Sequence, residues 1–414
     1  MRFRKILFWL HLATGLLAGV VIFIMSFTGA ILAFENELVA WAERDARRVE
    51  TASTASARPL DELLAAAQAV APEGAKPSGL TLSRDPHDSL AINFTRDAGV
   101  YYVNPYTAEV IRPASTAMRD FMKKVVELHR YLAQSGDQRP LGKALTGAAN
   151  LGFLFLALSG LYLWWPRAWS NLQALRPSLW YVKGARGRAR DWNWHNVTGF
   201  WFLPILVVIT LSAAVIGYRW ASDLVYHVVG EKPQRGSYLV VAPAEVAPPS
   251  PNLPRLGLTE TLAQVQTRHT DWSQITLREG YAQRPENASG PDPYTATLKL
   301  IDDDAPSFAP AQLVLDPYTG ATLSRTDYAE QSPGRKIRIW LRYLHTGQAL
   351  GWPGQVLAGL ASLAGCLLVY TGFALTYRRL RPAPYPATPP LPPQSNLLGY
   401  FACRSRRLPH RALR

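Results

Sequence analysis

Four apolar stretches limit what this chain of 414 residues can fold into. They lie at 6–34, 144–165, 196–218 and 354–377. Each is long enough to cross a hydrocarbon core of about 30 Å, which takes roughly 20 apolar residues in a helix. Long polar segments follow the first and third stretches. The pattern predicts an integral membrane protein with four transmembrane helices.

The net charge of +14 is unevenly distributed along the chain. The excess of Lys and Arg lies in the segments 1–5, 166–195 and 378–414, whose one acidic residue is Asp191. Because loops rich in Lys and Arg stay in the cytoplasm, we expect both termini inside and the two polar segments exported. The basic loop suits anionic membrane lipids, and the same distribution argues against nucleic acid as a partner.

The order of elements predicts an internal duplication with a pseudo-twofold axis along the membrane normal. Each half runs as a transmembrane helix, an exported α+β lobe and a second transmembrane helix. The expected fold is therefore a bundle of four transmembrane helices with two α+β lobes. The expected boundaries are 1–165 for the first repeat, with its lobe at 35–143; 166–195 for a basic cytoplasmic loop; 196–380 for the second repeat, with its lobe at 219–353; and 381–414 for a basic, Pro-rich cytoplasmic tail.

Each polar segment has the periodicity of a small α+β lobe. Residues 59–72 and 258–268 show the apolar spacing of amphipathic helices. Alternating apolar residues then predict three strands in each lobe. These strands are 79–83, 89–95 and 100–111 in the first lobe, and 273–278, 295–301 and 312–323 in the second. Helices at 117–132 and 335–344 are predicted to lead from the lobes back to the membrane.

The motif His-x-x-Thr-Gly opens both the first and the third apolar stretch, at His11 and His195. A histidine at the mouth of a membrane helix is costly and uncommon, so it indicates a functional site. The pseudo-twofold axis brings the two histidines to face each other. We interpret them as two ligands of one metal, a haem iron, because neutral imidazole is a good axial ligand.

A second pair of histidines, His129 and His345, lies just outside the second and fourth apolar stretches. The same axis predicts that they hold another haem at the opposite face of the membrane. The chain has two cysteines and no Cys-x-x-Cys-His motif, so both haems are expected to be non-covalent haem b. His227 is a reserve ligand, and mixed ligation by Met25 stays open. An inner and an outer site make a path for electrons.

No nucleotide-binding motif follows a predicted strand, so the electron donor is expected to be a separate molecule, a quinol or a cytoplasmic reductant. The two histidine motifs, the Asn-Pro-Tyr-Thr and Asp-Pro-Tyr-Thr-Gly turns at 104–107 and 316–320, and the segment 159–167 resemble PepSY-associated membrane proteins. The resemblance covers about 1–380. The fourth stretch departs from the pattern, since Tyr-Thr-Gly-Phe replaces Ser-Gly-Leu-Tyr and no Trp-Trp-Pro-Arg follows.

Within that family the chain is similar to the FoxB-type ferric-siderophore reductases. The resemblance implies PepSY-like lobes in the periplasm, a place in the bacterial inner membrane, and two haems that pass electrons to a ferric siderophore so that Fe(II) is released. It supports His11, His195, His129 and His345 as the haem ligands, whereas their pairing follows from the symmetry. No individual catalytic residue is predicted.

Two other functions remain open at this point. In the first, the lobes are periplasmic binding or protease-regulating modules that the helices merely anchor, without redox activity. In the second, the chain is a transport subunit for the iron chelate. Transporters favour broken helices and polar groups at the membrane midplane. Pro204 is a possible break, but no acidic or basic residue lies near the centre of any apolar stretch.

Overall fold

The structure, a computed structural model, describes residues 2–50, 56–95, 98–111, 116–166, 172–234, 250, 253–280, 292–301 and 305–381. The predicted Pro-rich tail, 381–414, lies outside these residues except for Arg381. The helices in the described part are α1 (Arg2–Leu32), α2 (Glu35–Ala42), α3 (Arg44–Arg47), α4 (Leu60–Val70), α5 (Ala117–Tyr131), α6 (Arg139–Trp164), α7 (Leu172–Leu179), α8 (Gly187–Gly217), α9 (Arg219–Val228), α10 (Leu258–Arg268), α11 (Pro333–Thr346) and α12 (Gly351–Leu380).

Four of these helices, α1, α6, α8 and α12, are long and apolar enough to cross a membrane. Each covers one of the four predicted stretches, so the prediction of a four-helix membrane protein is confirmed. Helices α6 and α12 each pack against both α1 and α8. The two helices that open with the histidine motif, α1 and α8, therefore lie diagonally across the bundle.

The predicted loop 166–195 is partly helical. Residues 172–179 form α7, and α8 begins at Gly187, well before the apolar stretch that starts at 196. The helix can extend this far because its buried acid is satisfied: the Asp191 carboxylate accepts hydrogen bonds from Arg190, at 2.8 Å, and from Arg378 of α12, at 3.0 Å. The ion pair ties the start of α8 to the end of α12.

The strands of both polar segments form one sheet. They are β1 (Pro77–Ser83), β2 (Leu90–Phe94), β3 (Val100–Val103), β4 (Val110–Ile111), β5 (Trp272–Glu279), β6 (Tyr294–Leu300), β7 (Ala311–Leu315) and β8 (Thr322–Thr326). All neighbours are antiparallel, in the order β4-β3-β2-β1-β5-β6-β7-β8. The pairing of β1 with β5 joins the two halves of the chain, which the sequence did not predict.

The third predicted strand of each lobe is in fact two strands joined by a tight turn. The Asn104 side chain accepts the backbone N–H of Tyr106, and the Asp316 carboxylate accepts that of Tyr318 in the same way. Such Asx turns offer the backbone a partner inside the turn and so interrupt the ladder. The predicted segments 100–111 and 312–323, each counted as one strand around its turn, are therefore two strands each.

One face of the sheet is covered by α4 and α10, and this layer forms the apolar core. Its central side chains are fully buried: Ala67, Leu80, Ile92, Val103, Val265, Ile275, Leu277, Leu298, Leu313 and Leu315. On the other face, the Tyr102 hydroxyl donates to the buried Glu43 carboxylate at 2.8 Å. Arg119 of α5 binds the same carboxylate. This contact fixes the sheet to α5, the helix that carries His129.

Candidate cofactor sites

The structure brings the four predicted histidines together in two pairs. His11 of α1 and His195 of α8 line one cavity of about 770 Å³ between the four long helices. Small residues form much of its wall: Gly15, Gly19, Gly160, Gly199 and Gly372. Basic residues from the neighbouring helix ends line it as well: Arg4, Lys5, Arg188 and Arg379. The cavity therefore combines two imidazoles, room for a flat apolar group and partners for its acidic substituents.

The second pair, His129 of α5 and His345 of α11, meets at the opposite end of the bundle. Their ring centroids are 6.5 Å apart, with ring planes inclined by 59°. Two bonds of about 2 Å from one metal to two imidazoles, plus about 1 Å from each ligating nitrogen to its ring centre, give about 6 Å. The two rings are thus spaced as ligands on opposite sides of a single metal.

Burial keeps the second pair neutral. It lowers the pKa of His129 to about 4, with a smaller contribution from the neighbouring His345. Burial also lowers the pKa of His345, to which the charge of Arg342 contributes. Since neutral imidazole is the form that binds metals, both rings are in the ligating state near pH 7.

Each of the four imidazoles hydrogen-bonds through Nδ1 to a hydroxyl on a neighbouring long helix. The pairs are His11 with Ser159 at 2.8 Å, His195 with Thr371 at 2.9 Å, His129 with Thr28 at 2.9 Å, and His345 with Ser212 at 3.3 Å. Every one of these hydroxyls donates its own proton to a carbonyl about one turn earlier in its helix, on Phe155, Leu367, Ile24 and Ile209 respectively. The hydroxyl must then accept from the imidazole, which assigns the ring proton to Nδ1 and leaves the Nε2 lone pair free. This is the tautomer that a metal ligand requires.

A glycine follows the hydroxyl residue in three of the four pairs. A Cβ atom on Gly160, Gly372 or Gly29 would lie only 3.4–3.7 Å from the imidazole Cε1 atom of its histidine. The hydroxyl therefore holds the ring, and the glycine leaves space beside it. The sequence shows these Ser-Gly and Thr-Gly dipeptides within the apolar stretches, but only the fold reveals which histidine each one contacts.

The His345 ring has a backbone acceptor in hydrogen-bonding geometry besides its hydroxyl partner. Its Nδ1 atom also lies 3.0 Å from the Ile209 carbonyl oxygen, closer than the Ser212 hydroxyl. This ring is held by backbone as well as by side chain, so its tautomer depends less on one hydroxyl.

The two pairs lie at opposite ends of the helix bundle. Thr28 contacts His129 and therefore marks the position of that site on α1. It lies seventeen residues after His11 on the same helix. His195 and Ser212, which marks the His345 site, have the same spacing on α8. A rise of 1.5 Å per residue places the pairs about 25 Å apart along the bundle. The equal spacing on both helices is the regularity expected of two equivalent halves.

The two reserve ligands differ in position. His227 is exposed on α9. Met25 lies beside the His129 site, where its backbone carbonyl accepts from the Thr28 hydroxyl at 3.1 Å. Within the described ranges, no cluster of three or more His, Cys, Asp or Glu side chains could hold a metal ion. Each pair could supply two protein ligands to a metal whose remaining ligands come from a macrocycle, as in haem.

Four membrane-spanning helices and a large extramembrane sheet define the class of this protein. The family model described as PepSY-associated TM region matches residues 8–379, and the chain belongs to that family. The family-level resemblance seen in the sequence is therefore confirmed. No curated protein matches the chain.

Proposed function

We propose that this chain is a haem-dependent reductase of the bacterial inner membrane that passes electrons outward to a ferric siderophore. The observation that carries the proposal is the set of four half-buried imidazoles, paired at opposite ends of the bundle. All four point Nδ1–H at a hydroxyl and keep Nε2 for a metal. Nothing in helix packing requires the same tautomer at all four positions.

His11 and His195 would hold one haem b, and His129 and His345 the other, through Nε2. Ser159, and its counterparts at the other three rings, orient the imidazoles and make them better donors. When bound, such haems supply one-electron transfer between the two membrane faces. The basic residues that line the inner cavity provide partners for the carboxylates of the macrocycle.

The net reaction moves one electron from a donor to each ferric ion, giving Fe(II). The donor class we propose is a quinol or a cytoplasmic reductant, at the His11 face. Hard oxygen ligands hold Fe(II) less tightly than Fe(III), so reduction releases the iron. The chelate is reduced at the His345 face, next to the sheet.

The orientation we propose follows from the basic helix ends. Arg4, Arg188 and Arg379 all lie at the His11 end of the bundle, and such residues favour the cytoplasmic side. The sheet, formed by two PepSY-like lobes, is then periplasmic. The matched spacing on α1 and α8 supports an origin of the two halves by duplication.

The anchored binding module and the chelate transporter explain less of the site. Neither gives a reason for four imidazoles with one shared hydrogen-bond pattern. The buried amide of Asn150, in the middle of α6, is engaged in packing, since it donates to the Thr210 carbonyl at 3.0 Å. It is therefore not an open midplane binding group.

The decisive test is an optical spectrum of the full-length protein, purified in detergent from haem-replete cells. We expect sharp reduced bands of six-coordinate b-type haem after dithionite, with about two haems per chain. His11→Ala and His129→Ala should each remove one haem. His227→Ala, a change at an exposed histidine, is the matched control and should retain both. A folded but colourless protein contradicts the proposal.

A further inference from the structure

One buried side chain organises the segment 177–182, which lies between the end of α7 and the start of α8. The Asn193 amide donates to the carbonyl oxygens of Pro177 and Trp180, the latter at 3.0 Å. Its oxygen accepts the Val182 backbone N–H at 3.0 Å. Because Asn193 is almost completely buried, these bonds build the segment firmly into the bundle.

The same segment fixes two tryptophan rings on the outer surface of the bundle. Trp201 of α8 donates its indole N–H to the Leu179 carbonyl at 2.8 Å, although 51% of the residue is exposed. Trp180 is 59% exposed, and the centres of the two rings are 5.8 Å apart. Tryptophans of an ordinary membrane-interface belt turn their polar end to the wet side. Since the Trp201 N–H is bound within the protein instead, Trp180 and Trp201 form a rigid aromatic shelf.

Two further rings connect the aromatic shelf with the cavity that His11 and His195 line. The centre of the Phe200 ring lies 5.4 Å from that of Trp201. On its other side Phe200 stacks on Trp164, with ring centres 4.3 Å apart. Both Phe200 and Trp164 line the cavity. The shelf is thus continuous, ring against ring, with the cavity wall.

The equivalent positions in the first half of the chain carry no rings. When α1 is aligned on α8 by the histidine motif, Leu16 matches Phe200 and Leu17 matches Trp201. Leu17 is exposed, as expected of a lipid-facing residue in a membrane span. The fold itself therefore does not require aromatic rings at this place.

The depth of the aromatic shelf decides which kind of donor can use it. Trp201 lies within the apolar stretch 196–218, six residues after His195 and about 9 Å further along the helix. A water-soluble reductase does not reach a lipid-facing surface at that depth. A quinol is dissolved in the membrane, and its planar ring can stack on aromatic side chains.

We propose that the aromatic shelf is the docking site for a quinol that donates electrons to this chain. The inference deepens the proposed function and rests on it for the statement that electrons enter at the His11 end of the bundle. A quinol that is oxidised to quinone gives up two electrons and two protons. The electrons reduce two ferric ions, one each, and the protons pass to water at the same end.

Binding is tested first, by a measurement that does not depend on haem. The full-length protein in nanodiscs is irradiated with increasing amounts of a photoreactive azido-ubiquinone, and the labelled peptides are identified by mass spectrometry. Trp180→Leu and Trp201→Leu each remove one ring, and the second introduces the residue that α1 carries. Trp220→Leu is the matched control, because Trp220 is also exposed but follows the opposite end of α8.

We expect the label within 177–201 and its loss when decylubiquinone competes. Half-maximal labelling should need about tenfold more azido-ubiquinone in each shelf variant, and Trp220→Leu should stay within about twofold of the wild type. A label confined to other parts of the chain, or unchanged labelling in both shelf variants, overturns the proposal.

A second measurement connects the shelf with electron entry. Decylubiquinol should reduce the haem of the wild type, and it should do so about tenfold more slowly in Trp201→Leu. Dithionite should reduce both proteins fully, which shows that the haem sites are intact. Wild-type haem that dithionite reduces but decylubiquinol does not overturns the proposal. A wild-type protein without haem defeats the proposed function separately, while the labelling still decides the docking site.

Discussion

Removing the hydroxyl partner should affect the two proposed haem sites unequally. Ser159→Ala deletes the one side-chain acceptor, at 2.8 Å, that the structure gives the His11 Nδ1–H. Ser212→Ala makes the same chemical change beside His345, whose Nδ1 keeps the Ile209 carbonyl at 3.0 Å. The two substitutions are a matched pair that differs in whether a buried donor is left without a partner.

The magnitudes follow from that difference. An unpaired buried donor costs about 1–3 kcal/mol, which corresponds to about a 5- to 150-fold loss of haem affinity at the His11 site. The imidazole can avoid the cost by moving its proton to Nε2, but that tautomer cannot bind the metal. At His345 the lost contact is long and the backbone acceptor remains, so we expect a change of about twofold or less.

The assay follows haem loss to an excess of apomyoglobin, one site at a time. Ser159→Ala is measured in a His129→Ala background, which retains the inner haem. Ser212→Ala is measured in a His11→Ala background, which retains the outer one. Equal effects of the two substitutions, or faster haem loss from the Ser212→Ala variant, would refute the argument from the hydrogen bonds.

Two further predictions concern space and charge. Gly160→Val puts methyl groups against the His11 ring, because even a Cβ atom at this position would lie 3.4 Å from the imidazole Cε1 atom. We expect this variant to lose the haem at the His11 site, as measured by haem content. Gly217→Ala, at a position with open space around it, should keep both haems. For Glu43, burial raises the pKa, but hydrogen bonds from Arg119 and its other partners outweigh this and lower it below its ordinary value of 4.5. The ionised Glu43 carboxylate thus stabilises the fold above about pH 4.5, and this contribution is lost as the pH falls through the lowered pKa. The Tm of the Glu43→Gln variant should therefore lie below that of the wild type at pH 7. The two Tm values should converge in acid.

The spans and the histidines could be predicted because each leaves a local signal in the sequence. A membrane span needs only length and apolar composition, and all four were found. His11 and His195 were identified by a repeated motif, and His129 and His345 by their matched positions before the second and fourth spans. Pairing needed only the assumption of symmetry, and the structure places both pairs as that assumption requires.

The hydroxyl partners and the single sheet could not be predicted because they depend on distant contacts. Ser159 lies far from His11 in the chain, and a serine in a membrane helix is equally consistent with back-bonding to its own carbonyls. Likewise, nothing local in β1 or β5 says that these two strands pair with each other. Two separate lobes would have satisfied the same alternation of apolar residues.

The joint sheet can be tested by a disulfide between the halves. Thr81 of β1 and Thr276 of β5 are register partners whose hydroxyl oxygens lie 3.2 Å apart. Cysteines at both positions should cross-link, since neighbouring antiparallel residues come within the reach of a disulfide. A protease site inserted at the exposed Gly184 separates the halves, so that the cross-link is seen as one band on a non-reducing gel.

The control uses Thr297, which pairs with Thr276 from the other side. Cysteines at Thr81 and Thr297 lie two strands apart, about 10 Å, which exceeds the roughly 7 Å limit for a disulfide. Both double variants are made with Cys366 and Cys403 replaced by serine. Two fragments from the Thr81/Thr276 variant under oxidising conditions would show that the lobes are separate sheets, and the pairing of β1 with β5 would then be wrong.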